Sequence, residues 1–283
     1  MSEPISRRKF LKYATSSVLG VGMMGIGGAA WITRIEPAAY EVTYTTIPLP
    51  HLDPQFSGLT IVQISDIHFA DWMTRERMLG VVEQVNSLQP DVIAITGDFV
   101  SGIWQNTPGD IVETLRALRP REALAACLGN HDHWTNARIV GQAVQDGGAR
   151  LLLNEHVALQ RGDATLYIAG VDDIWERQND LDAALAGIPE QSPVILLAHE
   201  PDYADEVART GRVGLQLSGH THGGQVRLPF VGAPALPELG HKYDMGLFDV
   251  SGMALYVTRG VGMVAPYVRF NCRPEITHIT LSL

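Results

Sequence analysis

From residue 57 onward, short runs of apolar and β-branched residues alternate with longer amphipathic stretches. Residues 59–64 (Leu-Thr-Ile-Val-Gln-Ile) read as a strand, and 73–89 carry a helical period that must stop before Pro90. The same sequence of elements repeats: a strand over 91–96, a helix over 108–118, a strand over 123–128, then a helix over 135–147 ended by Gly147-Gly148. Further strands are predicted at 151–153, 156–160, 164–170, 193–198, 213–218, 254–258 and 275–282. Strand–helix alternation builds βαβ units and a mainly parallel sheet. Strands that follow one another without helices, after residue 150 and again near the C-terminus, imply a second, partly antiparallel sheet.

Polar clusters interrupt this pattern at regular places. They are Asp66-Ile67-His68, Gly97-Asp98, Gly129-Asn130-His131-Asp132, His199, and Gly219-His220-Thr221-His222. Asp66 to Asp98 is 32 residues, as is Asp98 to Asn130, which matches a βαβ unit of about thirty or more. Each cluster therefore leaves a strand at the same end of a sheet, where open α/β sheets bind ligands. Asp66 and His68, two apart on an extended chain, would face one side. Asp98 offers two oxygens to two ions, and Asn130 adds a neutral oxygen. Carboxylate, imidazole and amide oxygen together suit Mn, Fe, Co or Zn. His131 would be a proton donor to a leaving oxygen. Asp132 either orients His131 or caps a helix beginning near Trp134; the residues alone leave both open.

The first forty residues differ from the rest. Ser6-Arg7-Arg8-Lys9-Phe10-Leu11-Lys12 is basic, and residues 13–33 carry no charge. Glycines and hydroxyl residues keep that run only mildly apolar, so residues 1–39 resemble a twin-arginine export signal. A retained N-terminal membrane anchor would use the same residues, and 21 residues of helix span about 31 Å. The expected address is the cell envelope, with the twin-arginine translocase as a partner and residues 40–283 as one catalytic domain.

The chain has 21 basic and 31 acidic residues. Taking away Arg7, Arg8, Lys9, Lys12 and Arg34 against Glu3 and Glu36 leaves 16 against 29 in residues 40–283, a formal charge of −13. So acidic a body argues against nucleic acid as a partner. Cys127 and Cys272 are expected to be buried free thiols.

The five clusters, in this order, resemble the calcineurin-like metallophosphoesterase superfamily over roughly residues 57–283. The resemblance implies a four-layer α/β/β/α sandwich of two mixed sheets. It implies one divalent metal on Asp66, His68, Asp98 and His222, and a second on Asp98, Asn130, His199 and His220. It further implies in-line attack of a metal-bridging hydroxide on a phosphodiester or pyrophosphate, with His131 assisting the leaving group. Gly97-Asp98-Phe99-Val100-Ser101-Gly102 departs from the protein-phosphatase pattern. The Gly-His-Thr-His-Gly-Gly-Gln run and Arg273-Pro274-Glu275-Ile276 look instead like a bacterial membrane-associated phosphodiesterase branch. Its relatives include UDP-2,3-diacylglucosamine pyrophosphohydrolases of lipid A synthesis, although that reaction is cytoplasmic. The apolar loop 228–240 would either receive a lipid portion of the substrate or pack over the second sheet. A non-catalytic exported metal-binding protein is the competing class, and it would have no use for His131. Asp172, Asp173, His133, Tyr243, Arg259 and Arg269 are weaker pocket candidates.

Overall fold

A computed structural model describes residues 27–101 and 108–283. The basic Arg7-Arg8 motif and most of the uncharged run lie outside the described residues. Among those described, no helix is long and apolar enough to cross a membrane.

Two six-stranded mixed sheets pack face to face. In the first, β2 (Thr60–Ile64), β3 (Val92–Thr96), β4 (Ala123–Cys127) and β5 (Arg150–Leu151) run parallel. The C-terminal β12 (Glu275–Ser282) lies antiparallel to β2 and carries β1 (Glu41–Pro48) parallel on its outer edge. In the second, β7 (Ala164–Gly170), β8 (Val194–Leu197), β9 (Leu215–Ser218) and β11 (Met253–Val257) are parallel. The antiparallel edge strands β6 (Glu155–Arg161) and β10 (Gly246–Val250) close that sheet.

The helices α1 (Arg75–Ser87), α2 (Gly109–Arg116) and α3 (Asn130–Asp146) cover the first sheet, burying Met78, Val81, Ile111 and Val140 against Val62, Ile64 and Ile93. The short α4 (Leu181–Leu185) and α5 (Ala204–Arg209) cover the second, over Leu196, Val194 and Val257. Between the sheets lie Ile61, Ala94, Leu166, Ile195, Leu215 and Ile279. Buried on both faces, the central strands are continuous apolar runs, as parallel strands under helices must be. This is the α/β/β/α sandwich.

Two strands have no counterpart in the sequence reading. In β1 only Ile47 is buried, because β1 is an edge strand held by its eight-residue pairing with β12. β10 is likewise an edge strand, with Leu247 exposed. An edge strand buries too few side chains to show a clear period. Helical backbone already begins at Asn130, with Gly129 as N-cap and Asp132 returning to bond the Gly129 N–H at 3.0 Å. It breaks at Asn136, whose side chain accepts the Ile139 N–H (3.0 Å) and starts the helix expected from about residue 135.

Polar ties lock the two sheets together at the strand ends. Gln63, buried between them, donates to Thr96 Oγ1 (3.1 Å) within its own sheet and to the Ser218 carbonyl (2.9 Å) of the other. His199 Nδ1 donates across to the Thr96 carbonyl at 2.6 Å.

Candidate metal centre

The C-terminal ends of β2, β3 and β4 in one sheet, and of β8 and β9 in the other, deliver all five polar clusters to one place. Asp66, His68, Asp98, Asn130, His199, His220 and His222 are all buried there. Asp66 and His68 do not share a side through extended backbone. Both are left-handed, with φ +52° and +50°, as are Asp98 (+56°), His220 (+71°) and His222 (+52°). A non-glycine residue in this region costs about 1–3 kcal/mol and persists only where its surroundings over-determine it. Here the backbone is pinned: Asp66 N–H donates to Gly97 O (3.0 Å), His68 N–H to Asp98 O (3.0 Å) and Gly262 N–H to Asp66 O (2.7 Å).

Glycines let the strand ends meet. A Cβ on Gly219 would overlap the Ser65 hydroxyl and the Asp66 carboxylate. One on Gly97, itself at φ +87°, would stand 2.7 Å from His199 Nδ1.

Donor atoms face one another at short range. His68 Nε2 is 3.1 Å from His222 Nε2 and 3.4 Å from Asp98 Oδ2. His222 Nε2 lies 3.4 Å from Asp66 Oδ1, and His199 Nε2 lies 3.2 Å from Asp98 Oδ2. His220 Nδ1 is 3.1 Å from Asn130 Oδ1. Two ligands about 2.1 Å from one ion, at tetrahedral or octahedral angles, stand about 3.0–3.4 Å apart. The spacing is thus that of neighbouring ligands. Asp66, His68 and His222 form one such group, and Asp66, Asp98 and His199 another.

The imidazoles are also turned the right way. His68 Nδ1 faces the Val100 carbonyl (3.3 Å), His199 Nδ1 the Thr96 carbonyl, and His220 Nε2 the Glu238 carbonyl (2.8 Å). Each carbonyl takes a proton from the ring nitrogen that faces it, so the other nitrogen is the one turned toward the cluster. His199 Nε2 is buried with no hydrogen-bond partner, an orphan that a cation would satisfy. Burial holds His68 and His220 near pKa 3, and His222 well below the ordinary value, so these rings are neutral and ligand-ready. Burial also pushes the Asp66 carboxyl up to about 7, against the pull of His199. For Asp98 burial acts upward too, but the His199 ring, which Asp98 in turn holds well above the ordinary imidazole value against the effect of burial, outweighs it and keeps the carboxyl well below the usual range.

Asp98 Oδ1 accepts the His131 backbone N–H (2.9 Å) at the N-terminus of α3, where the helix dipole favours an anion. The His131 ring sits edge-on to His68 (4.8 Å) and against Trp134 (4.7 Å), at the floor of a cleft of about 380 Å³. Asp132 neither orients the His131 ring nor caps a later helix. Its carboxylate accepts from Phe99 (2.8 Å), Val100 (3.1 Å) and Gly129 N–H groups, so it braces the Asp98 loop.

Trp134 and Trp175 form one wall of the cleft, and Ala235 to Pro237 with Val264 to Pro266 form the other. The sequence reading gave no site role to Trp134, which stands on α3 just after the Asn130–Asp132 cluster, to Trp175, which comes from a loop with no motif, or to Gln225, the last residue of the Gly219–Gln225 run. The weaker candidates lie elsewhere. His133 pairs with Asp172 (2.8 Å), Tyr243 with Asp205 (2.9 Å), and Arg259 with Glu275 (2.8 Å). Arg269 is fully buried and donates to the carbonyls of Cys272, Arg259 and Gly262, while Asp173 is buried beside Glu200. Cys127 and Cys272 are both buried free thiols.

The pattern of the calcineurin-like phosphoesterase family matches residues 59–224. Over 281 residues the chain is 34% identical to the uncharacterized metallophosphoesterase YkuE of Bacillus subtilis, covering 98% of each chain. It is 29% identical to phosphodiesterase YaeI of Escherichia coli, covering 98% of this chain and 99% of that one. A zebrafish (Danio rerio) transmembrane protein with a metallophosphoesterase domain is 33% identical over 85% of this chain and 57% of its own length. With the histidine and carboxylate cluster at its strand ends, the chain belongs to the calcineurin-like phosphoesterases and is a phosphoester hydrolase.

Proposed function

We propose that the chain is a dinuclear metallophosphoesterase that cleaves a phosphodiester or pyrophosphate bond. The observation that carries this is the two-sided donor cluster, with Asp98 Oδ2 between His68 Nε2 and His199 Nε2. Asp66, His68, Asp98 and His222 would hold one divalent ion, and Asp98, Asn130, His199 and His220 the other. Bound there, the pair would supply Lewis-acid neutralisation of phosphoryl charge and a water of lowered pKa. The protein's own part is orientation and proton delivery. His131, fixed at the head of α3 and facing the cleft, gives its ring proton to the departing oxygen. Trp134 and Trp175 exclude water on one side of the scissile bond, and the Ala235–Pro237 stretch does so on the other.

The apolar second wall favours a substrate with a lipid or otherwise hydrophobic portion, with UDP-2,3-diacylglucosamine-like pyrophosphates as one such class. The similarity to the Escherichia coli phosphodiesterase YaeI supports a diester over a monoester. The paired Arg7-Arg8 and the weakly apolar run after it support twin-arginine export and a cell-envelope address. Metal analysis of the purified chain, with a panel of aryl monoesters, aryl diesters and nucleotide–lipid pyrophosphates, tests the reading. About two metal equivalents and a clear diester or pyrophosphate preference are expected. One equivalent or none, or monoester preference, overturns it.

A further inference from the structure

Residues 228–232 form a tight turn closed by two hydrogen bonds between Leu228 and Gly232. Its apolar side chains point outward: Phe230 is fully exposed, Val231 is 70% exposed and Leu228 is 42% exposed. A closed turn holding three apolar side chains in water is a rigid protrusion. Surface hydrophobics of this kind, gathered on one tip, mark a contact site.

The surroundings say what covers it. Arg227 N–H donates to the Phe270 carbonyl (2.8 Å), and the neighbouring Arg269 N–H donates to Ile32 O (2.9 Å). The tip therefore stands beside the helical stretch Trp31–Ile35, where Trp31 and Ile35 are about half exposed. Trp31, Pro229 and Phe270 line one groove between the two. In sequence, the first three residues of that stretch, Trp31 to Thr33, end the 21-residue uncharged run 13–33. A tryptophan at the end of such a run, followed by Arg34, is the arrangement found at a membrane–water boundary. Exposed Arg34 and Arg273 add positive charge on this side of a strongly acidic body, suiting anionic headgroups.

We infer that the turn 228–232 inserts into a lipid bilayer beside the N-terminal segment, setting the cleft mouth against the membrane surface. The same loop continues into the Ala235–Pro237 wall of the cleft, so an amphiphilic phosphoester reaches the metal cluster without leaving the bilayer. This rests on the lipid-linked reading above only for the substrate; the docking itself does not depend on turnover.

The full chain carrying Phe230→Cys, labelled with a polarity-sensitive fluorophore, tests it after reconstitution into phosphatidylglycerol–phosphatidylcholine vesicles. Cys127 and Cys272 are buried, so the label is selective. With shallow doxyl-labelled lipid present, emission at position 230 is expected to fall by about half, as for a side chain about 5–10 Å into the interface. The same label on Ser251→Cys, at the turn before β11 and so at the opposite ends of the strands, is expected to keep its emission. Equal, water-like emission at both positions overturns the inference. So does shielding of position 230 that appears without lipid and rises with protein concentration, which would give this surface to a second copy. Failure of hydrolysis would leave either result standing.

Discussion

Replacing Asp98 by Asn isolates the metal chemistry from the fold. In the native chain Asp98 Oδ1 accepts the His131 N–H (2.9 Å), and Oδ2 faces His68 Nε2 (3.4 Å) and His199 Nε2 (3.2 Å). The amide of Asp98→Asn keeps the Oδ1 acceptor and turns an NH₂ toward the two ring lone pairs, so the metal-free variant should fold. What it loses is the anionic oxygen between the two donor groups, while its N–H groups repel a cation. A ligand at 100 times its Kd stabilises the folded state by about 2.7 kcal/mol. At about 2–4 °C per kcal/mol for a domain of this size, one ion raises the melting temperature by roughly 5–11 °C. The native protein should therefore melt lower by at least that much after chelation. Asp98→Asn should melt near the chelated native protein, with no rise on adding Mn²⁺ or Zn²⁺. Calorimetry with and without chelator, metal analysis and aryl-diester turnover check this together. A variant that keeps two metals and near-native turnover would refute the bridging role of Asp98. An unfolded variant would refute the claim that the fold tolerates the amide.

Other expectations follow from single contacts. His131→Ala should retain its metals while kcat falls by about 10²–10⁴, the usual size of a lost general acid, measured on an aryl diester with a poor leaving group. Gly219→Ala should push Asp66 from its place, because the new methyl overlaps the Ser65 hydroxyl and the Asp66 carboxylate; reduced metal occupancy by elemental analysis is the readout, and full occupancy would contradict the packing. Glu275 accepts from Arg259 Nε (2.8 Å), Tyr256 (2.6 Å) and Thr43 (2.5 Å), and Glu275→Gln leaves Arg259 its Glu41 partner (2.9 Å), so the change should cost about 1–3 kcal/mol in urea unfolding. Burial pushes the Glu275 carboxyl up, but Arg259 and these donors outweigh it and hold it below the ordinary glutamate value. Its stabilisation is present above the unfolded-state value and lost as pH falls through the folded one. The acid side of the native stability curve should therefore be steeper than that of Glu275→Gln, and equal slopes would remove the linkage.

Much of this protein is written in local pattern. The runs 91–96, 193–198 and 213–218 are apolar enough to be strands buried on both faces, and each polar cluster directly follows such a run. Strand, helix and the end at which ligands collect depend on neighbouring residues and chirality, so spacing along the chain suffices to place Asp66, Asp98, Asn130, His199 and His220 together. Other features have no local signal. Edge strand β1 exists because β12, over two hundred residues later, offers it a partner. The left-handed backbone at Asp66 and His68 is imposed by hydrogen bonds from the 97–98 and 260–262 segments. Asp132 braces the Asp98 loop because α3 starts at Asn130, a matter of which N–H groups stand within its reach. Which ring nitrogen each histidine presents is set by the carbonyls of Val100, Thr96 and Glu238, and Trp175 enters the cleft from a loop that carries no motif. The sequence by itself determined which donors this site holds and at which strand ends, because periodicity and short connections act locally. Only the tertiary structure decided how those donors are aimed and what walls enclose them, because contacts between distant segments carry no mark on either segment alone.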